Sequence, residues 1–191
     1  MASVILSGCK VYKDRLGARA CTVGEVDSKT EKAFLNHNHL QGYHPSSLCY
    51  GLFYRGSLVS LMSFVKPRFN KKTDWELLRF CNKLNTQVVG GASRLFSRRP
   101  KGSIVSYSDS RLSLGHLYEN LGFVRQFINS PGYYYTNDYQ TFYSRVKFQK
   151  HKLPKILEIF DPFKTEWENM QANGFDRIWD CGTTTWIYYN N

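Results

Sequence analysis

The stretch QVVGGASRLFSR, Gln87–Arg98, sets two valines before Gly-Gly-Ala and then turns helical in pattern. An ordinary helix start favours Ser, Asp or Asn, whose side chains cap the first free amides. Small residues at this point predict either a tight turn or a backbone that a ligand approaches closely. Successive free N–H groups ahead of a helix attract anions, phosphate among them. A glycine pair before a helix is by itself more often a turn, so the surrounding elements have to decide.

Upstream, CTVGEV (Cys21–Val26) alternates as a short strand. DSKTEKAFLNHNHL then reads as a helix, with Ser28 as cap and Glu31 completing a capping box. QGYHPSS is a loop. LCYGLFYRGSLVSLMSFVKP is two apolar strands around the turn signal Arg55-Gly56. DWELLRFCN (Asp74–Asn82) is a further strand, interrupted by Glu76 and Arg79. Downstream come the helix ASRLFSRR, a buried-looking strand GSIVSYSD (Gly102–Asp109), and a short helix SLGHLYENLGF ending at Gly122. FVRQFI and GYYYT are strands. From about Pro154 the character changes: DPFKTEWENMQANG reads as a helix with Pro in its first turn, and FDRIWDCGTTTWIYY as a strand or hairpin. This order predicts a mixed α/β layout.

The 191 residues suit one domain or a domain with an appendage, and carry 26 Lys and Arg against 15 Asp and Glu, a net charge of +11. Three clusters hold much of the excess: Lys66, Arg68, Lys71 and Lys72; Arg98 and Arg99 within RLFSRRPK; and Arg145, Lys147, Lys150 and Lys152. Aromatic residues make up 16% of the chain and crowd GYYYTNDYQTFY before the third cluster. Cations neutralise phosphates and aromatic faces stack on bases, so nucleic acid is the expected partner, against the plainer reading of a solvated basic surface. No apolar run reaches 18 residues, which predicts no membrane span. The start, MASVILSGCKVYKDR, lacks the basic segment of a secretory signal. The five cysteines are scattered and never spaced as CxxC, the pattern of free thiols in a reducing cytoplasm rather than of a zinc site.

QVVGGA fits Q-x-x-G-x-A and resembles the pyrophosphate loop of the GNAT (GCN5-related N-acetyltransferase) superfamily, between a central strand and a helix. LYENLGF resembles that superfamily's Y-x-x-x-G-F segment. HNHLQGYHPSS, GLFYRGSLVSLMSFVKPRF, WELLRFC, GGASRLF and IVSYSDSRLSLGHLYENLGF are together similar to the Mom-type DNA-modification proteins of bacteriophages, a GNAT-like branch. They are also similar to a module that accompanies some phage homing endonucleases. The likeness spans roughly Val23 to Lys152. It implies a GNAT-like domain over 1–153, with a central mixed, largely antiparallel sheet flanked by helices, and a helix–strand extension over 154–191 packed on it. It implies acetyl-CoA or a related acyl donor at Gln87, Val88, Val89, Gly90, Gly91 and Ala92. It further implies a DNA acceptor, modified on the exocyclic amine of adenine, in the cytoplasm of a bacterial host. The family's histidine–tyrosine pair after the first helix has no adjacent counterpart; His37, His39, Tyr43 and His44 are the residues available.

The candidate catalytic residues are His39, His44, Tyr107, Asp109 and Tyr118. The three histidines of HNHLQGYH admit a metal site, a catalytic or substrate role, or a polar helix end; their spacing is poor for a metal. Asp109 ends a strand, where it can take an amine proton, hold an imidazole or simply cap a turn; Tyr107 can orient substrate and Arg111 can contact phosphate. Tyr118 is either a core aromatic or, as the resemblance implies, the acid for a leaving thiolate. Glu76 and Arg79 are a buried pair or face the acceptor. No G-x-S-x-G elbow supports a serine nucleophile, and no D-x-D or E-x-K carboxylates suggest a nuclease. Two classes of function remain: a base-modifying acyltransferase, and a DNA-binding module without chemistry.

Overall fold

The computed structural model describes residues 12–190; the N-terminal stretch MASVILSGCKV, Cys9 included, lies outside them. In chain order the elements are β1 (Asp14–Gly17), β2 (Thr22–Glu25), α1 (Ser28–Asn38), β3 (Leu48–Tyr54), β4 (Ser57–Val65), β5 (Trp75–Asn82), β6 (Thr86–Val89), α2 (Gly91–Phe96), β7 (Ile104–Asp109) and α3 (His116–Asn120). They continue with β8 (Val124–Ile128), β9 (Tyr133–Thr136), β10 (Tyr143–Ser144), α4 (Glu166–Ala172), β11 (Asp176–Trp179) and β12 (Thr183–Tyr188). The chain forms two compact units that interleave in sequence. The first holds 12–108, 114–127 and 185–190, the second 109–113 and 128–184.

The first unit is built on a seven-stranded sheet in the order β2-β3-β4-β5-β7-β12-β8. β2 to β5 pair antiparallel, and β5 pairs with β7 in parallel. This is the mixed, largely antiparallel α/β sheet expected from the sequence. The β3–β4 hairpin turns on Arg55 and Gly56, at φ 49° and 78°, the pair of positive angles that a two-residue hairpin demands. Leu52, Met62, Phe64, Leu77, Leu95, Ile104 and Trp186 fill the core of this unit.

Several local expectations are corrected. Asp27, not Ser28, caps α1, accepting the amides of Lys29 and Thr30. Glu31 turns inward rather than back to the cap, and is 2% exposed. The strand before the glycines is no part of the large sheet: β6 pairs in parallel with β1, Gly17 opposite Val89. α3 is only five residues long, because Gly115 precedes it at φ 92°. A Cβ on Gly115 would stand 2.1 Å from the Trp186 ring, so no other residue fits there.

The second unit has a three-stranded sheet, β10-β9-β11, over a small core of Tyr135, Phe148, Leu153 and Met170. α4 starts at Glu166 behind a Thr165 capping box, so Pro162 stands before the helix and not in its first turn. β11 and β12 belong to different sheets and form no hairpin. Among the described residues no helix is long and apolar enough to cross a membrane.

Candidate functional site

The parallel pair β5 and β7 frames the candidate site. These strands have eight and six residues, yet pair at only two positions, Trp75 with Ile104 and Glu76 with Val105. The next rung is a side-chain bond, the buried Ser106 Oγ donating to the Leu77 carbonyl at 2.9 Å. Beyond it the paired register stops, and Leu78–Asn82 of β5 runs on without β7 beside it. A parallel sheet normally continues its ladder. Here it opens at the end of β5 from which the chain passes, through β6, to the glycines.

At Gly90 and Gly91 the two residues are small for different reasons. Gly90 is exposed, at φ 76°, and no side chain caps the helix that follows. Among the described residues a Cβ there would meet only Ala18, at 3.8 Å. The amides of the first helical turn have no partner within a helix, so this end of α2 presents N–H groups with no side chain in front of them. Gly91 is buried, and a Cβ would lie 3.1 Å from Val88 Cγ1 and 3.5 Å from Leu52 Cδ1. Its smallness serves packing. Val88 is buried, Gln87 and Ala92 are half-buried, and Val89 is exposed. Arg94 and Arg98 lie four residues apart on and just past α2, on one side of it.

Arg79 projects from the unpaired part of β5. Its Nε donates to the Gly42 carbonyl at 3.2 Å, which ties the loop carrying His39 and His44 to the sheet. Burial, then the charge of Arg68, lowers its pKa. The Tyr118 hydroxyl lies 3.4 Å from Ser106 Oγ and 3.5 Å from the Tyr107 carbonyl, so its bonds are long. Burial raises the Tyr118 pKa, against Ser106 and the Arg79 charge, and keeps the phenol protonated. Its ring stacks on Trp186 at 5.2 Å, as a core aromatic does. The Tyr107 pKa is raised by burial and by Glu76.

The two histidines differ in tautomer. His39 Nδ1 accepts the Gln41 amide at 3.1 Å. A backbone amide only donates, so the His39 proton sits on Nε2. Burial, helped by Arg79, pushes its pKa down to about 4. His39 is therefore a neutral donor. His44 Nδ1 lies 2.9 Å from the Pro45 carbonyl, which only accepts, so its free lone pair is on Nε2. Of the two, His44 has the form of a base. His37 is exposed on α1, and among the described residues no group of His, Cys, Asp and Glu is gathered to hold a metal. Asn36 and Asn38 are structural: Oδ1 of the first accepts the Tyr43 amide and Oδ1 of the second the Leu84 amide.

Asp109 falls in the second unit, where its carboxylate accepts Arg111 through the backbone amide, Nε and Nη2. Arg111 holds its pKa below the usual carboxylate range. A carboxylate so engaged is a weak base, and the Arg111 guanidinium that holds it is half exposed. Glu76 takes Arg68, not Arg79, as its partner: Arg68 Nε donates to Oε1 at 3.0 Å and the Arg68 amide to Oε2 at 3.0 Å. Glu31, expected at a helix cap, is a buried carboxylate instead. Its Oε2 accepts Ser46 Oγ at 2.9 Å, while its Oε1 is buried. Burial raises the Glu31 pKa, against Ser46 and, less strongly, His44. The signal for it was its i, i+4 spacing from Leu35 on one face of α1.

The basic clusters separate by unit. The second unit has eight Lys and Arg (Arg111, Arg145, Lys147, Lys150, Lys152, Lys155, Lys164, Arg177) and eight Asp and Glu, so its formal charge is zero. The +11 of the chain comes from the sequence outside the second unit, 18 cations against 7 anions. Within the second unit Arg145 lies over Tyr133, Lys147 over Tyr143, and Lys152 donates to the Val146 carbonyl; Lys150 is exposed. In the first unit Arg99 is packed over Phe96 and Tyr188, whereas Arg98 is exposed.

No family model matches the chain, and no curated protein matches it. Among solved structures it is similar to an acetyltransferase from Bacillus subtilis in complex with CoA, at 15% identity and TM-score 0.48 over 90% of this chain and 98% of that one. The ribosomal-protein-S18-alanine N-acetyltransferase from Escherichia coli is similar at 11% identity and TM-score 0.46, over 88% and 93%. A GNAT-family acetyltransferase from Bacillus cereus is similar at 12% identity and TM-score 0.45, over 90% and 98%.

Proposed function

We infer that the chain is an acyltransferase that takes acetyl-CoA or a related acyl donor and acylates an exocyclic base amine in DNA, that of adenine first. The observation that carries the reading is the opening between β5 and β7, together with an exposed glycine after β6 that leaves helix amides uncapped. The residues fit a CoA-type donor. Gly90 is exposed without a capping side chain, its surroundings leave room, and Arg94 and Arg98 add positive charge for a diphosphate. The donor would be held by the Gln87–Ala92 backbone and supplies an activated thioester.

The lone pair of an exocyclic base amine is delocalised into the ring, so its proton must leave as the nitrogen attacks. His44 Nε2 takes that proton, with Nδ1–H anchored on the Pro45 carbonyl. Arg79 fixes the loop that carries it. Tyr118, a neutral phenol with long hydrogen bonds, gives a proton to the departing thiolate. The acceptor base is flipped or single-stranded, since a stacked one is out of reach. The charge of the first unit suits a polyanion, and the phage-type acceptor rests on the Mom-type resemblance of Val23 to Lys152.

The test is calorimetry of the purified chain with acetyl-CoA, followed by nucleoside mass spectrometry of DNA from cells expressing it. Donor binding and an acylated deoxyadenosine are expected. DNA binding with no heat from acetyl-CoA would instead leave the non-catalytic module.

A further inference from the structure

The segment from Lys66 to Thr73, between β4 and β5, is irregular but pinned throughout. Pro67 and Thr73 are buried. Arg68 reaches Glu76, 1% exposed, with both its amide and its guanidinium. Lys71 Nζ donates to the Pro67 carbonyl at 2.6 Å, the Lys72 amide to Asn70 Oδ1 at 3.1 Å, and Thr73 Oγ1 to the Asn70 carbonyl at 3.0 Å. Tyr107 of β7 meets the loop at the Phe69 ring.

On this scaffold Phe69 stands 75% exposed. Its ring packs T-shaped against Tyr107, centroids 6.0 Å apart at 84°, with the Arg68 guanidinium 5.5 Å away. A single exposed apolar residue is ordinary. An exposed phenyl on a loop held by a half-buried ion pair is not, because the backbone that carries it is already ordered while its face stays in water. Its exposed loop neighbours are Lys66, Lys71 and Lys72. Lys66 covers the neighbouring Trp75 ring at 3.9 Å. A ligand that suits this surface is flat, polarisable and joined to negative charge. An apolar protein partner would meet cations round the ring.

We propose that Phe69 is a stacking platform for one nucleobase of a flipped or single-stranded nucleotide, with Lys66, Lys71 and Lys72 on the adjoining phosphates. The proposal rests on the reading of DNA as partner and adds where the base is caught. Stacking is tolerant of base identity, so the platform selects an unpaired nucleotide and not a sequence.

The test is fluorescence anisotropy with two labelled oligonucleotides of equal length, one carrying bases and one wholly abasic, against the full chain and its Phe69→Ala and Phe69→Trp variants. The wild type is expected to prefer the base-bearing strand by about 5- to 150-fold, the range of one base–aromatic stack. Phe69→Ala loses that preference and binds both strands alike, with an unchanged salt slope, while Phe69→Trp keeps it. A wild-type preference retained in Phe69→Ala overturns the platform and leaves the DNA reading standing. No binding of either strand by the wild type overturns the DNA reading, and the platform with it.

Discussion

Gly90 and Gly91 carry most of what the sequence could say about a ligand, and the side chains around them divide that message. The pattern Q-x-x-G-x-A marks both alike, but only Gly90 stands open. Gly91→Glu would strike Val88 and Leu52, so the informative change is Gly90→Asp, with Gly90→Asn as its neutral control. Asn and Asp tolerate a left-handed backbone better than other residues, and each variant should lose about 1 kcal/mol of stability in urea unfolding. The aspartate should weaken acetyl-CoA binding by calorimetry ~10-fold or more beyond the asparagine, through repulsion of the diphosphate. Equal affinities in the two variants would remove the loop from donor binding. His39 gives a second prediction. Its folded pKa of about 4 lies below its ordinary value of 6.5, so protonation opposes the fold. The stability it lends is present above 6.5 and is lost as pH falls towards about 4. His39→Gln should flatten the acid side of the melting-temperature profile in that window, and a profile parallel to the wild type would contradict the assigned burial. The tautomers of His39 and His44 were not legible in the sequence, because they depend on which backbone group each Nδ1 meets.

The elements were more legible than their pairing. Apolar alternation, Arg55-Gly56 and the glycine run located β2 to β5 and the helix after the loop, because those signals are local. The opening between β5 and β7 is set by Ser106, which looks in sequence like any small strand residue. Its hydroxyl takes the Leu77 carbonyl in place of a ladder bond. Ser106→Ala should leave that buried carbonyl without its donor and cost about 1–3 kcal/mol in denaturant midpoint experiments. A loss below ~0.5 kcal/mol would mean that the rung is replaced by another partner. Likewise α3 is shorter than its sequence pattern suggests, because only packing against Trp186 shows that Gly115 must stand outside the helix.

Across the whole molecule, the net charge pointed to nucleic acid but could not say which cations are uncommitted. Acids distant in sequence neutralise the third basic cluster by belonging to the same unit, and a linear reading of clusters is blind to that. The two units therefore predict different salt behaviour. Reversing Lys71 and Lys72 to Glu should lower the slope of log K against log salt for DNA by about two, near 0.9 for each phosphate no longer neutralised. Reversing Lys150 and Lys152 should leave the slope unchanged. Filter binding or anisotropy over a salt series decides this, and equal effects from both pairs would contradict the segregation of function with charge. The central claim is that this chain moves an acyl group onto a base amine. The purified protein, acetyl-CoA and a single-stranded, adenine-containing oligonucleotide, followed by digestion to nucleosides and mass spectrometry, test it most directly. An N-acylated deoxyadenosine that disappears in His44→Ala is the predicted result, and unmodified nucleosides beside intact donor, from a protein that binds both, would contradict it.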